Sequence, residues 1–281
     1  MQICRTIAET RTMLAAWRRA GDSVGLVPTM GALHDGHAAL VTAARAERDR
    51  VVATIFVNPT QFGDPRDLET YPRSEAADLE LLRALGADAV LIPDAAEIYP
   101  RDDETIVETT RLAAQFHGAV RPGHFRGVAT VVTKLFNIIR PDAAYFGEKD
   151  YQQLAVIRRM VRDLHMGLDI VGVATFRDAD GLALSSRNVR LTPADRAAAP
   201  VLHRALQAGA AVYESGATVE AAAQAIRDVV ATEPRAELTG LDIVEAGRFV
   251  PATGRPEGLI GIMISARFGE VLLIDQKEVS A

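Results

Sequence analysis

Two histidines stand three positions apart in Pro28-Thr29-Met30-Gly31-Ala32-Leu33-His34-Asp35-Gly36-His37. If a helix's first turn reaches back to His34, that spacing puts both rings on one side of it. Two imidazoles there can donate hydrogen bonds to phosphate oxygens as negative charge builds on a phosphorus centre. A second candidate is Ala183-Leu184-Ser185-Ser186-Arg187-Asn188, which follows the turn-forming cluster Asp178-Ala179-Asp180-Gly181. Two hydroxyls and a guanidinium on one loop offer several donors, and arginine can engage two phosphate oxygens at once. A third is Gly147-Glu148-Lys149-Asp150. Lys149 can neutralise phosphate charge, Asp150 can take sugar hydroxyls or cap a helix, and Gln153 can project from the turn that follows. Each segment also has an ordinary reading: surface histidines on a capped helix, a capping serine beside a solvated arginine, a solvated Lys-Asp pair.

The flanking residues say what must position these groups. Val24-Gly25-Leu26-Val27 is an apolar run fit for a short buried strand, and Ala38 to Arg45 carries apolar residues at helical spacing. The histidines therefore sit on a strand-to-helix turn, with Asp35 or Gly36 suited to cap the helix. Unpaired N–H groups and a positive dipole end make such a place receptive to anions. Ala143-Ala144-Tyr145-Phe146 reads as another strand, and Tyr151 to Ile157 opens a helix. Lys149 thus lies on the same kind of turn, where open α/β sheets bind ligands.

The same alternation runs from residue 24 to about 173. Val51 to Val57 reads as a strand buried on both faces. Ser74 to Leu85 reads as a serine-capped helix ended by Gly86, followed by a strand over Asp88 to Pro93. Val128 to Ile139 reads as a helix stopped by Pro141, and Leu168 to Val173 as a last strand. This predicts a parallel, doubly wound, Rossmann-like α/β sheet. Beyond it, helices over Pro193–Tyr213 and Val219–Thr232 precede strands over Leu241–Ala246, Leu259–Ala266 and Val271–Ile274. The expectation is two domains, residues 1–175 and a smaller α+β lid of residues 176–281. A hinge beside Ser185-Ser186-Arg187 would let closure bring donors in and expel water. Residues 100–110, with Thr105-Ile106-Val107-Glu108-Thr109, read as an exposed strand able to pair with a second subunit.

Composition sets bounds. The 281 residues are 48% hydrophobic and 24% charged with a formal net charge of −6, which fits a globular protein and lends no support to nucleic-acid binding. The single cysteine, Cys4, excludes an internal disulfide and a thiolate metal cluster. No apolar run reaches the roughly 18 residues of a membrane span, and the amino end shows no signal-peptide core. The expected compartment is the cytoplasm, with no membrane partner.

Six blocks in order carry a resemblance. They are Val27 to His37; Ile55-Phe56-Val57-Asn58-Pro59-Thr60-Gln61-Phe62; Tyr71-Pro72-Arg73; Arg121-Pro122-Gly123-His124-Phe125-Arg126-Gly127-Val128; Phe146 to Gln153; and Asp180 to Asn188. Over nearly its whole length the chain resembles the pantoate–β-alanine ligases. They belong to the nucleotidyltransferase superfamily that shares the His-x-Gly-His element with class I aminoacyl-tRNA synthetases. Two departures are Phe176, where a smaller aliphatic is usual, and Arg190, where an aromatic is expected. Phe176 leaves a backbone contact to adenine open.

The resemblance implies that a pantoate carboxylate attacks the α-phosphorus of ATP, and that β-alanine then displaces AMP from the acyl adenylate. It implies catalytic roles for His34, His37, Lys149 and Arg187, with His37 the favoured proton donor. It implies ATP contacts from Met30, Gly31, Ala32, Leu33, Asp35 and Gly36 around those histidines. Gly147, Glu148 and Asp150, and Phe176, Leu184, Ser185 and Ser186, would add further contacts. Gln61 and Gln153 would bind pantoate, with Gln61 also reaching β-alanine, and Asn58, Arg121 and His124 are further candidates. Mg2+ accompanies ATP with no protein ligands identified, and a homodimer is implied. Two rivals remain: a nucleotidyltransferase that keeps the nucleotide on its product, and a nucleotide-sensing module without turnover. The acidic balance and the lack of an anticodon-binding stretch disfavour a tRNA synthetase.

Overall fold

In the computed structural model, residues 1–63 and 65–280 are described, and the chain divides into two compact units. The larger comprises Met1–Gly147 and Gln152–Ala174; the smaller comprises Glu148–Tyr151 and Thr175–Ala281.

The chain begins with β1 (Gln2–Cys4) and α1 (Ile7–Ala20). The start of α1 is fixed by a capping box in which Thr6 and Glu9 each accept the other's backbone N–H. Gly21, at φ 86°, ends the helix in the left-handed region that glycine tolerates best. There follow β2 (Val24–Thr29), α2 (Asp35–Glu47), β3 (Arg50–Ile55), α3 (Pro65–Glu69), α4 (Glu75–Ala84), β4 (Ala89–Leu91), α5 (Ala95–Ile98), α6 (His117–Val120) and α7 (His124–Ile139). The larger unit continues through β5 (Ala143–Gly147), α8 (Tyr151–Asp163) from Gln152 onward, and β6 (Asp169–Val173).

The strands form a six-stranded sheet in the order β1-β4-β3-β2-β5-β6, parallel at every pairing. The expected Rossmann-like sheet is therefore present. Its core includes Val27, Val51, Ala53, Val90, Ala143 and Tyr145 from the strands, against Leu40 and Val41 of α2 and Leu79 and Leu82 of α4. The chain runs outward from β2 through β3 to β4, then returns to place β5 on the other side of β2. That makes β2/β5 the switch point, where open sheets of this kind bind ligands beyond the carboxyl ends of their strands. Those ends lead to Met30 and Glu148.

The smaller unit has α9 (Pro193–Ala198), α10 (Val201–Glu214), α11 (Val219–Ala231), β7 (Glu237–Glu245), β8 (Val250–Pro251), β9 (Leu259–Phe268) and β10 (Val271–Ser280). Its antiparallel sheet, ordered β10-β9-β7-β8, shares a core with α10 and α11 built on Leu202, Leu206, Tyr213, Ile226, Ile262, Ile264 and Phe268. This is the expected smaller α+β unit.

Three local expectations need correction. Residues 100–110 form no strand within the chain; Val107 instead exchanges hydrogen bonds with the Thr130 hydroxyl on α7. A period-two pattern needs a ladder partner to become a strand, and here a helix side chain takes that place. The helical stretch Pro193–Tyr213 is two helices, because Pro200 has no N–H to continue the first ladder. Ser74 occupies the cap of α4, but its hydroxyl donates to Asp78 Oδ1 at 3.0 Å and makes no cap bond.

Candidate active site

The turn after β2 is bent by two successive left-handed residues, Gly31 at φ 80° and Ala32 at φ 50°. A Cβ on Gly31 would come within 3.0 Å of Asp78 Oδ2, so the turn needs glycine for space as well as for conformation. Asp78, only 2% exposed, explains the bend. Its Oδ2 accepts from Ala32 N–H at 2.9 Å and its Oδ1 from Leu33 N–H at 2.8 Å. A buried carboxylate satisfied by backbone donors is held firmly, because losing a partner would expose its full desolvation cost. The sequence reading missed Asp78, whose only signal was a carboxylate among the apolar positions of α4.

The expected cap, Asp35 or Gly36, is displaced by His34. His34 Nδ1 accepts from Gly36 N–H at 3.1 Å, and His37 Nδ1 faces His34 N–H at 3.4 Å. Asp35 becomes the first helical residue and points to solvent. The two rings lie 4.2 Å apart between centroids, so the expected same-side placement holds. An imidazole that accepts at Nδ1 is, when neutral, protonated at Nε2. Capping thus selects the tautomer in which each ring offers an Nε2–H.

Gln61 lies on a 3-10 turn over Pro59–Gln61, capped by Asn58, and is buried. Asn58 Nδ2 donates to Gln61 Oε1 at 3.0 Å and to Gly127 O at 3.1 Å, while Asn58 Oδ1 accepts from the Tyr99 hydroxyl at 2.8 Å. Burial raises the Tyr99 phenol's pKa, which keeps it a donor at neutral pH. With its carbonyl occupied, Gln61 aims Nε2 at the Met30 sulfur, 3.2 Å away, a weak acceptor. Gly127 permits this packing, since a Cβ there would lie 2.6 Å from Thr60 O. His124 Nδ1 lies 2.9 Å from Gln61 O and its Nε2 lies 3.5 Å from Arg121 Nη1. The Arg121 turn therefore supports the backbone of Gln61. Met30, Gln61 and Asn58 form one network, with Arg121 and His124 behind them.

Gln153 is half-buried in the first turn of α8. Its neighbour Gln152 is the fully engaged amide, donating to Leu112 O and Gln115 O and accepting from His117 N–H.

In the smaller unit, Glu148–Asp150 form a 3-10 turn on which Lys149 Nζ lies 3.1 Å from Asp150 Oδ2. Phe176 and Leu184 face each other across a short hairpin, Leu184 N–H donating to Phe176 O at 3.0 Å. Phe176 has an exposed ring. Ser185 caps the 3-10 turn Ser186–Arg190 by accepting Arg187 N–H at 3.2 Å, and its own hydroxyl proton remains to be donated. Arg177, at the hairpin's base, is fixed by a bidentate pair with buried Asp275 at 2.6 and 2.8 Å. Among the described residues no group of three or more His, Cys, Asp or Glu is placed to hold a metal ion.

Residues 2–278 match the family described as pantoate-beta-alanine ligase. A protein of Agrobacterium fabrum named pantothenate synthetase is 48% identical over 278 residues, covering 99% of this chain and 95% of that protein. The crystal structure of pantothenate synthetase from Thermus thermophilus covers both chains completely at 47% identity and a TM-score of 0.94. A pantoate-beta-alanine ligase from Francisella tularensis, solved with beta-gamma ATP and beta-alanine, is 33% identical with a TM-score of 0.81, covering 99% of this chain and 97% of that one.

Proposed function

This chain belongs to the pantoate–β-alanine ligase family, and on that premise we propose that it uses ATP to join pantoate to β-alanine through a pantoyl adenylate. A carboxylate is a poor acyl donor because oxide is its leaving group. One carboxylate oxygen attacks the α-phosphorus of ATP, and the bond to pyrophosphate breaks. The β-alanine amine then attacks the acyl carbon, loses a proton, and AMP departs with the bonding pair. Both steps need alignment and charge stabilisation rather than a covalent enzyme intermediate.

The observation that carries this reading is the paired Nδ1 acceptance of His34 and His37 at the amino end of α2, beside the β2/β5 switch point. With Nδ1 accepting, the protonated nitrogen of each neutral ring is Nε2, the donor assigned here to the charge that grows on the α-phosphate and the leaving pyrophosphate, with His37 the proton donor. Met30 to Gly36 and the Gly147–Asp150 turn house the nucleotide. Lys149, Ser185, Ser186 and Arg187 grip its phosphates, and Leu184 and the backbone of Phe176 meet the adenine. Gln61 and Gln153 bind pantoate; Asn58 leaves Gln61 mainly a donor, suited to a carboxylate or hydroxyl oxygen. The reading requires groups from both units to act on one triphosphate, the smaller serving as a lid.

Mg2+ would enter with ATP, held mainly by phosphate oxygens and water, and would neutralise phosphate charge. We also place the enzyme in the cytoplasm as a homodimer. No helix among the described residues is long and apolar enough to cross a membrane.

The test is product analysis with ATP, pantoate and β-alanine. The reading expects AMP and pantothenate in equal amounts, with free AMP released in quantity only when the amine is present. A product that retains the nucleotide would replace the ligase with a nucleotidyltransferase, and binding without turnover would leave a sensing module.

A further inference from the structure

Glu148–Tyr151 groups with the smaller unit, although Gly147 before it and Gln152 after it group with the larger. Two adjacent side chains account for this. Tyr151 is 7% exposed, and its hydroxyl donates to Glu278 Oε1 on β10 at 2.6 Å. Its ring lies against β9 where Gly261 has no side chain; a Cβ there would come within 2.3 Å of Tyr151 Cε1. Phe249 flanks the same ring at 5.4 Å between centroids. Gln152 instead spends its amide on the backbone of residues 112–117 in the larger unit. The change of allegiance falls on the peptide between them.

Lys149 lies two residues before that tyrosine. A lysine stem is long and rotamer-rich, so holding phosphate costs less when the backbone under it is already fixed. The phenol-to-carboxylate bond is of the short, charge-assisted kind, and a glycine in a strand interior marks close approach of another group. Ser185, Ser186 and Arg187 also belong to the smaller unit.

We propose that Tyr151 is a positioning residue: clasped by Glu278 and seated on Gly261, it fastens the Lys149 turn to the body that carries Ser185, Ser186 and Arg187. The inference rests on the proposed phosphate role of Lys149 and deepens it. Lys149 and the Ser185–Arg187 loop then act as one set of donors, while the residues just before and just after Glu148–Tyr151 in the chain belong to the other unit.

The experiment is pantoate-dependent exchange of labelled pyrophosphate into ATP, measured with the full chain for Tyr151→Phe, Glu278→Gln, Lys149→Ala and the double variant Tyr151→Phe/Lys149→Ala. Thermal midpoints are recorded alongside. Loss of one such charge-assisted hydrogen bond predicts an ATP KM at least about tenfold higher in Tyr151→Phe, with pantoate KM unchanged. Glu278→Gln, which still accepts the bond but without the charge, raises it less than Tyr151→Phe does. In the Lys149→Ala background Tyr151→Phe adds little, because coupled residues are not additive. An unchanged ATP KM in Tyr151→Phe beside a raised one in Lys149→Ala overturns the clasp alone. So does an undiminished Tyr151→Phe effect in the double variant. An unchanged ATP KM in Lys149→Ala overturns the phosphate reading, and the inference with it.

Discussion

His34 and His37 cap each other's turn: His34 Nδ1 receives Gly36 N–H at 3.1 Å, and His37 Nδ1 lies 3.4 Å from His34 N–H. The capping that starts α2 therefore also orients the two rings and fixes which nitrogen carries the proton. In the proposed reaction, structure and chemistry draw on the same atoms, and substitutions can separate them.

His37→Ala should lower adenylation by roughly two orders of magnitude or more, the usual worth of one charge-stabilising donor. His34→Asn keeps a side chain well suited to capping and loses only the outward donor. Its melting temperature should stay near the parent value while pyrophosphate exchange falls. His34→Ala should lose both, the cap being worth about 1 kcal/mol. Equal activity in His34→Asn and the parent would show that His34 acts only as a cap.

Asp78→Asn tests the support of the bent turn. An amide can accept one of the two N–H groups from Ala32 and Leu33 but turns a donor toward the other. The penalty should be about 1–3 kcal/mol in unfolding free energy, with a fall in exchange rate at saturating substrates. Chemical denaturation and exchange kinetics check both, and a variant as stable and active as the parent would remove Asp78 from the account.

His203 gives stability a definite pH dependence. Burial first, then the charge of Arg177, holds its folded pKa below the ordinary value of 6.5; Lys277 acts in the same direction and Asp275 opposes. Its buried Nδ1 has no hydrogen-bond partner, and its ring leaves no room for a Cβ on Gly181. Below about pH 6.5 the unfolded chain takes up a proton that the fold refuses, so stability falls until the folded pKa is passed. Urea midpoints at about pH 7.5 and about pH 5.5 should therefore differ less in His203→Gln than in the parent. Parallel losses in the two proteins would refute the assignment.

The elements that carry the site were legible because their patterns are local. The apolar run of β2, the helical spacing after it and the glycine between them need no distant partner to be read. What escaped depends on contacts far along the chain. The Asp78 bonds to Ala32 and Leu33 have no sequence signature, and neither does the clasp of Tyr151 by Glu278. The His34 cap was hidden because Asp35 and Gly36 are commoner capping residues, and only the ring geometry shows which one acts. The first strand and helix went unread for a different reason. Gln2–Cys4 is too short to show a period, although the Thr6–Glu9 capping box was there to find. The alternation in Thr105–Thr109 was a real pattern that met a helix hydroxyl in place of a neighbouring strand.

In the proposed mechanism the chain activates a carboxylate by transferring AMP to it before any amine arrives. Exchange of labelled pyrophosphate into ATP, with β-alanine omitted, measures that step alone. The expected result is exchange that requires pantoate and is nearly abolished in His37→Ala. Exchange that proceeds equally without pantoate, or that requires β-alanine, would rule out an acyl adenylate formed before the amine binds.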